Sequence, residues 1–467
     1  MAKNPENQTP DNSQAGSTRR AFLKTGAAVS AAASVAASPS LSLARSANVR
    51  GSNTFKVGLI GAGGRGRGAS INAMSAPGVN VELHAVADVF EKRAADAVEQ
   101  CKEQKGDKVQ ANADTTFVGL DAWKQVLDSG VDMVILATPP GFRPMHFEKA
   151  IDAGKHVFME KPVAVDAAGV RRVIAAGEKA SENKLTVQVG LQRRHEPCYR
   201  DAITRIQEGI IGDLSYGRVY WNGGGVWNRP RDADDSELMY QLRNWYYFNW
   251  MCGDHIVEQH IHNLDVINWV KGGFPVQAQG TGGRLVRKGK KNGEIFDHHV
   301  VEYTYEDGFQ MFSFCRHIPK CWNHVGEYVY GSKGYANLSK GKIYDNDNKV
   351  IFEAENTKHR GHQWEHDDMF KNLVDGIYVN EAEYGAKSTF TAILGRLATY
   401  SGKVVEWDQA LAGSRDLADV DSITKLDGPA PVTPLDDGTY AVPVPGVDAK
   451  SILGTKKGPG GKRKRRS

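Results

Sequence analysis

The sequence has little cysteine: five in 467 residues, Cys101, Cys198, Cys252, Cys315 and Cys321. None forms a CxxC pair or metal-finger spacing, and an odd number leaves at least one thiol unpaired within the chain. A set so sparse is the pattern of a protein folded in a reducing compartment. The sequence is also short of net charge. The formal value is +4, and much of that excess sits in Lys462, Arg463, Lys464, Arg465 and Arg466. The body is therefore close to neutral and lacks the basic face that nucleic-acid binding requires. The Ala-rich apolar stretch at residues 26–37 is short and weakly hydrophobic, which argues against stable membrane insertion.

What is present is a globular composition. With 40% hydrophobic residues, 9 Trp and 50 Gly, the chain can bury a substantial core and make many tight turns, and its length calls for two domains plus tails. Residues 1–17 are polar. Then come Thr18-Arg19-Arg20-Ala21-Phe22-Leu23-Lys24 and the Ala-rich run, which together resemble a twin-arginine export signal with a cleavage region around Ala44. That resemblance implies a periplasmic or otherwise exported protein. A route for folded cargo agrees with the cysteine usage.

Residues 55–60 (FKVGLI) read as a buried strand and lead directly into Gly61-Ala62-Gly63-Gly64-Arg65-Gly66. This is GxGxxG in its required context: one glycine for the turn, one for close approach of a pyrophosphate, and one for packing of the following helix, expected from Ala69 on. A second strand, 81–87, ends at Asp88, 22 residues beyond Gly66, where a carboxylate binds the adenosine ribose. Because a carboxylate there repels a 2′-phosphate, the cofactor expected is NAD, with NADP disfavoured. Further strands at 131–137, 155–159 and 187–191, with a helix at 144–153, predict a parallel sheet with ligands at the C-terminal ends of its strands.

Thr138-Pro139-Pro140, His146, Ala153-Gly154-Lys155-His156-Val157 and Glu160-Lys161-Pro162 resemble the signature of the Gfo/Idh/MocA oxidoreductases, the glucose-fructose oxidoreductase and inositol dehydrogenase type. The resemblance implies a catalytic Lys161, and an ammonium beside the reacting hydroxyl would stabilise developing charge on its oxygen. It adds Thr138, Pro139, His146, Glu160 and Lys161 to the cofactor residues Gly61, Gly63, Gly64, Arg65, Gly66 and Asp88. Arg193-Arg194-His195-Glu196-Pro197 is similar to the segment that opens the family's second domain, with His195 in place of the usual aromatic.

Residues 253–265 are similar to the family pattern in which an acid, a His four residues on and an Asp three further line the substrate pocket, although Glu258 replaces the commoner Asp. On one helix Asp254, Glu258, His262 and Asp265 would fall within an arc of about 80°. The roles implied are His262 as general base, Glu258 orienting or tuning it, Asp265 either binding a substrate hydroxyl or holding the helix in place, and Arg194 and Trp245 on the substrate. No metal site is assigned. His255, Glu258 and His262 have helical spacing but no close partner ligand. Tyr220, Trp221, Trp227, Tyr240, Trp245, Tyr246, Tyr247, Phe248 and Trp250 supply flat faces suited to sugar rings, with Arg229, Arg231 and Asn244 for hydroxyls.

The fold expected is α/β: an N-terminal Rossmann parallel sheet and a C-terminal α+β domain on a large open, mainly antiparallel sheet of the kind that mediates homo-oligomer contacts. Its boundaries are residues 1–53 for signal and linker, 54–191 for the NAD-binding domain, 192–426 for the substrate domain and 427–467 for a Pro/Gly-rich extension and basic tail. Helices are expected at 363–377 and 389–402, with 381–388 in the loop between them. The activity implied is hydride transfer at a secondary hydroxyl of a sugar, cyclitol or glycoside. Export adds a constraint: without a pool of external NAD the cofactor must be held tightly, which makes redox-neutral glycoside cleavage an alternative. The remaining rivals are a non-catalytic NAD-loaded binding protein and a cytosolic enzyme with exchangeable NAD.

Overall fold

The computed structural model describes residues 54–454. The Arg19-Arg20 pair, the cleavage region and the basic tail lie outside the described residues.

Strands β1 (Thr54–Ile60), β2 (Asn80–Asp88), β3 (Thr116–Val118), β4 (Met133–Leu136), β5 (His156–Met159) and β6 (Val187–Val189) form one sheet in the order β3-β2-β1-β4-β5-β6. Every pairing in it is parallel. Such a sheet is covered on both faces, so its strands are continuous apolar runs, and all four residues of β4 are buried. The strand order reverses between β1 and β4, which opens a crevice at their C-terminal ends. The first crossover helix, α1 (Gly64–Met74), starts at Gly64 and not at Ala69, because the last glycine of the motif lies inside its first turn. Two further helices of this domain are α2 (Arg143–Asp152) and α3 (Ala167–Glu182).

The second sheet has nine strands: β7 (Leu214–Gly223), β8 (Gln277–Gly283), β9 (His298–Thr304), β10 (Gln310–His317), β11 (His324–Gly331), β12 (Gly334–Asn337), β13 (Lys342–Asp345), β14 (Val350–Glu353) and β15 (Val405–Glu406). They run in the order β14-β13-β12-β11-β7-β10-β9-β8-β15. Only the β7–β10 pair is parallel. Burial alternates residue by residue along β10, as in a sheet with one covered face. That face carries α4 (Ile261–Lys271) and α6 (Ala382–Ser401), while α5 (Gly361–Val374) packs on α1.

Helix α6 joins the domains. Gly385 packs on Val189 of β6 so closely that a Cβ would lie 2.8 Å from its Cγ2, and at Gly395 a Cβ would lie 2.0 Å from the Tyr303 hydroxyl of β9. The helix begins seven residues before position 389, so Tyr384 and Gly385 are helical, in place of the loop expected at 381–388. The Asn380 side chain caps it by accepting from Ala382 N at 3.0 Å, and Glu381 ties its start to β6 by accepting from Val189 N at 2.9 Å.

Candidate active site

The crevice beyond β1 is shaped by glycine. Gly61 has φ +97°, and a Cβ there would lie 2.5 Å from Thr138 N; at Gly66 it would lie 2.0 Å from the Gly61 carbonyl oxygen. At Gly63 a Cβ would meet nothing within 4 Å. The backbone therefore leaves open space over the N-terminus of α1, whose first turn holds no acidic residue, and free N–H groups at such an end favour phosphate. Asp88 ends β2. Its Oδ2 accepts from Ala62 N at 2.9 Å and its Oδ1 from Phe90 N at 2.9 Å. Burial raises the carboxyl pKa against those hydrogen bonds and Arg93.

Gly61, Gly63, Gly64, Arg65, Asp88, Thr138, Pro139 and His146 line one cleft of about 890 Å³, ample for a dinucleotide. Gly66 lies beneath it in α1. Thr138 Oγ1 is 3.1 Å from His146 Nδ1, and burial holds that imidazole neutral, its pKa pushed down to about 3. Arg143, buried in α2, donates to the Thr138 and Glu160 carbonyls and so fixes the ends of β4 and β5 relative to one another.

Beyond β5, Arg65 pairs with Glu160 and lies 3.2 Å from Glu365 of α5. Lys161 follows, joined to Pro162 by a cis peptide. Its Nζ donates to the Glu258 carbonyl oxygen at 2.6 Å and to Glu258 Oε1 at 3.0 Å. His262 is buried, stacks on Trp221 at 5.9 Å between centroids, and leaves Nδ1 without a partner among the described residues. Burial, then the charges of Lys161 and Arg193, hold its pKa well below the usual imidazole value. The site thus holds a cation, a carboxylate and a neutral imidazole at the C-terminal edge of the parallel sheet.

The chain from Asp254 to Asp265 is not one helix. A single turn, His255–Glu258, is followed by a break at Gln259–His260 before α4 begins. Asp254 consequently does not share a face with Glu258 and His262. Its carboxylate accepts from Phe296 N at 2.9 Å, from His255 Nδ1 at 2.7 Å and from the Tyr400 hydroxyl. Asp265 and Arg194 bond each other, at 2.9 and 2.8 Å. Ser388 adds a hydrogen bond to Asp265 at 2.6 Å, and the Arg194 guanidinium covers the Tyr384 ring. That arrangement ties α4 to α6 and leaves both groups engaged within the protein. His195 likewise ties to α5 through Asp368 at 2.7 Å.

Trp245 lines the dinucleotide cleft, with Trp227, Arg229, Asp232 and Arg243 beside it. Arg231 pairs with Glu237 and Asn244 is fully buried, so neither reaches the cleft. Sequence reasoning missed Arg143, Glu365 and His362. The last sits at 3.3 Å from Glu365 Oε1, and burial, then the charge of Arg65, push its pKa down to about 4, so that it is a neutral neighbour of the site. For α5 the only signal was an amphipathic pattern, which does not reveal that the helix docks on α1.

Residues 55–191 match the family model for the Gfo/Idh/MocA oxidoreductases, described as an oxidoreductase family with an NAD-binding Rossmann fold. Among sequence relatives, the scyllo-inositol 2-dehydrogenase (NAD(+)) of Bacillus subtilis is 28% identical over 184 residues, 38% of this chain and 48% of that one. The inositol 2-dehydrogenase of Rhizobium meliloti is 27% identical over 286 residues, 60% of this chain and 74% of that one. The chain spans about half the length of most such relatives, with 59%, 48% and 43% in three of them. Among solved structures, apo scyllo-inositol dehydrogenase from Lactobacillus casei has a TM-score of 0.57 at 20% identity, covering 76% of this chain and 98% of that one. Levoglucosan dehydrogenase in complex with NADH and levoglucosan has a TM-score of 0.60 at 16% identity, covering 76% and 99%. Residues 55–191 thus match the NAD-binding Rossmann domain of the Gfo/Idh/MocA oxidoreductases, and the domain that follows shares the fold of those structures.

Proposed function

We propose that the protein is an NAD-dependent oxidoreductase that removes hydride from a secondary hydroxyl carbon of a sugar, cyclitol or glycoside, with the cofactor held tightly. The observation that carries this reading is Lys161 bonded to Glu258 beside a neutral His262; none of the three lines the glycine-lined cleft, and the link to it is Glu160, which precedes Lys161 and pairs with the cleft residue Arg65. When bound, the nicotinamide supplies a two-electron hydride acceptor. Lys161 hydrogen-bonds the substrate hydroxyl oxygen and stabilises charge that develops there. His262, unprotonated, takes the hydroxyl proton. Glu258 keeps the Lys161 ammonium oriented. Sequence relatives named as inositol dehydrogenases support the substrate class, and the test is direct: absorbance at 340 nm with added NAD and a panel of inositols, aldoses and glycosides. A rise with one class supports the reading, and no rise with any of them counts against it.

Tight retention rests on the walls of the cleft. Gly61 to Arg65 form one side, while Trp227, Arg229, Leu242, Arg243 and Trp245 of the second domain line the same space. A cofactor walled by both domains must wait for them to part before leaving. The same enclosure favours a second reading, redox-neutral glycoside cleavage, in which hydride removed early in the cycle returns before product leaves. A non-catalytic NAD-loaded protein is the weaker reading, since it has no use for Lys161 beside His262.

Two further proposals concern the whole protein. The open face of the nine-stranded sheet carries stacked Tyr216 and Tyr330, stacked Tyr220 and Phe314, and an exposed Trp322, an apolar surface suited to a homo-oligomer. Export by the twin-arginine route is the second. Replacement of Arg19 and Arg20 by Lys and fractionation of cells tests it.

A further inference from the structure

A second cavity, of about 370 Å³, lies between α6 and the irregular chain that follows it, and shares no lining residue with the dinucleotide cleft. The Trp250 ring separates the two. It lines the second cavity and meets Phe142, a cleft residue, edge-on at 5.8 Å. Trp250, Leu397 and Ile452 give the cavity apolar walls. Two guanidiniums face into it. Arg396 of α6 is 3% exposed and makes one hydrogen bond, from Nη1 to the Gly253 carbonyl oxygen at 3.0 Å. Arg415, exposed at the rim, donates only to the Ser451 carbonyl. Among the described residues neither belongs to an ion pair, whereas a buried guanidinium ordinarily has a carboxylate partner.

The nearby acids do not neutralise them. Asp166 is occupied by Gly169 N at 2.8 Å and Leu417 N at 3.0 Å, and Glu406 is exposed. Glu294 accepts from Asn249 N at 3.0 Å, and burial pushes its pKa up to about 7, so its charge is partly withdrawn at neutral pH. The two arginines also repel, which lowers the Arg415 pKa beyond the effect of burial. Leu453 is part of the wall.

We propose that this cavity is a second ligand site, which binds a small organic anion: an apolar ring or short chain carrying one carboxylate or phosphate group, the anion on Arg396 and Arg415 and the apolar body against Trp250, Leu397 and Ile452. Its volume suits a molecule of modest size, and a guanidinium pair suits either anion through paired N–H donors.

Isothermal titration of the purified full-length protein, saturated with NAD, tests the proposal with indole-3-acetate, phenyl phosphate and uncharged indole as probes. One anion per chain is expected to bind with Kd below about 1 mM, indole at least about tenfold more weakly. Arg415→Gln, at the rim and remote from the catalytic residues, is expected to weaken the anion at least about tenfold without altering NAD binding; Arg396→Lys is expected to do the same. A stronger response to phenyl phosphate identifies the natural ligand as a phosphate, and a stronger response to indole-3-acetate identifies it as a carboxylate. Equal binding of indole, binding that both variants leave intact, or no heat at about 10 mM of either anion overturns the proposal.

Discussion

Lys161 Nζ makes two hydrogen bonds to one residue, to the backbone carbonyl oxygen of Glu258 at 2.6 Å and to its side-chain Oε1 at 3.0 Å. Lys161, two residues beyond β5 in the first domain, is thereby held against the short helical turn of the second. Each side chain of the pair is mostly buried, at 13% and 14% exposure, so the geometry is set by packing and not by a flexible surface contact. Lys161→Ala is expected to lower kcat by about 10² to 10⁴ with circular dichroism unchanged. Glu258→Gln, which keeps the shape and loses the charge, is expected to cost less. Parental kcat in Lys161→Ala removes that residue from the chemistry.

Gly63 and Gly66 separate cofactor binding from folding. A methyl group at Gly63 meets no protein atom within 4 Å but enters the space over α1, while one at Gly66 runs into the Gly61 carbonyl at 2.0 Å. Gly63→Val should leave the melting temperature near the parental value and abolish NAD binding. Gly66→Val should lower both. The pair is checked by calorimetric melting and by fluorescence titration with NADH, and loss of folding in Gly63→Val contradicts the assignment.

Asp88 sets the preference between the two cofactors by charge. It stands among Lys92, Arg93 and Arg229, which line the same end of the cleft, so removing the carboxylate leaves a basic neighbourhood suited to a 2′-phosphate. Asp88→Ser is expected to bring NADPH affinity at least about tenfold closer to that of NADH, read as a ratio of dissociation constants. An unchanged ratio places the ribose elsewhere.

His262 is neutral in the fold. Its pKa is depressed, by burial and then by Lys161 and Arg193, below the 6.5 of a free imidazole, so falling pH protonates it only once well below that value. The profile of kcat/KM is therefore expected to show no loss from an imidazole between about pH 8 and pH 6.5. His262→Asn should lower the whole profile without shifting it. A sharp acid-side break near 6.5 that His262→Asn abolishes would falsify the depressed value.

The first domain was legible because each of its signals is local. A strand, three glycines at fixed spacing, a helix and Asp88 occur within 34 residues of Phe55, and the turn chemistry leaves few other arrangements. Lys161 was legible through the residues on either side of it. The second domain was less so. The break at Gln259–His260 is invisible to a helical-wheel argument, which cannot register that Asp254, at φ +74°, is turned away to bond Phe296 N and Tyr400. Arg194 and Asp265 have the residue types of a sugar site, yet each satisfies the other across two helices that sequence cannot bring together. The docking of α5 on α1, which brings Glu365 and His362 to Arg65, is a contact across about 300 residues with no local signature.

The most direct measurement is the absorbance spectrum of the purified protein, taken without added nucleotide, before and after the inositol, aldose and glycoside panel. The expected result is a co-purifying nicotinamide in near one-to-one amount, whose 340 nm band appears with one substrate class in the parent and not in Lys161→Ala. Protein that carries no nucleotide would contradict tight retention, and a bound nicotinamide that no substrate reduces would contradict hydride transfer at this site.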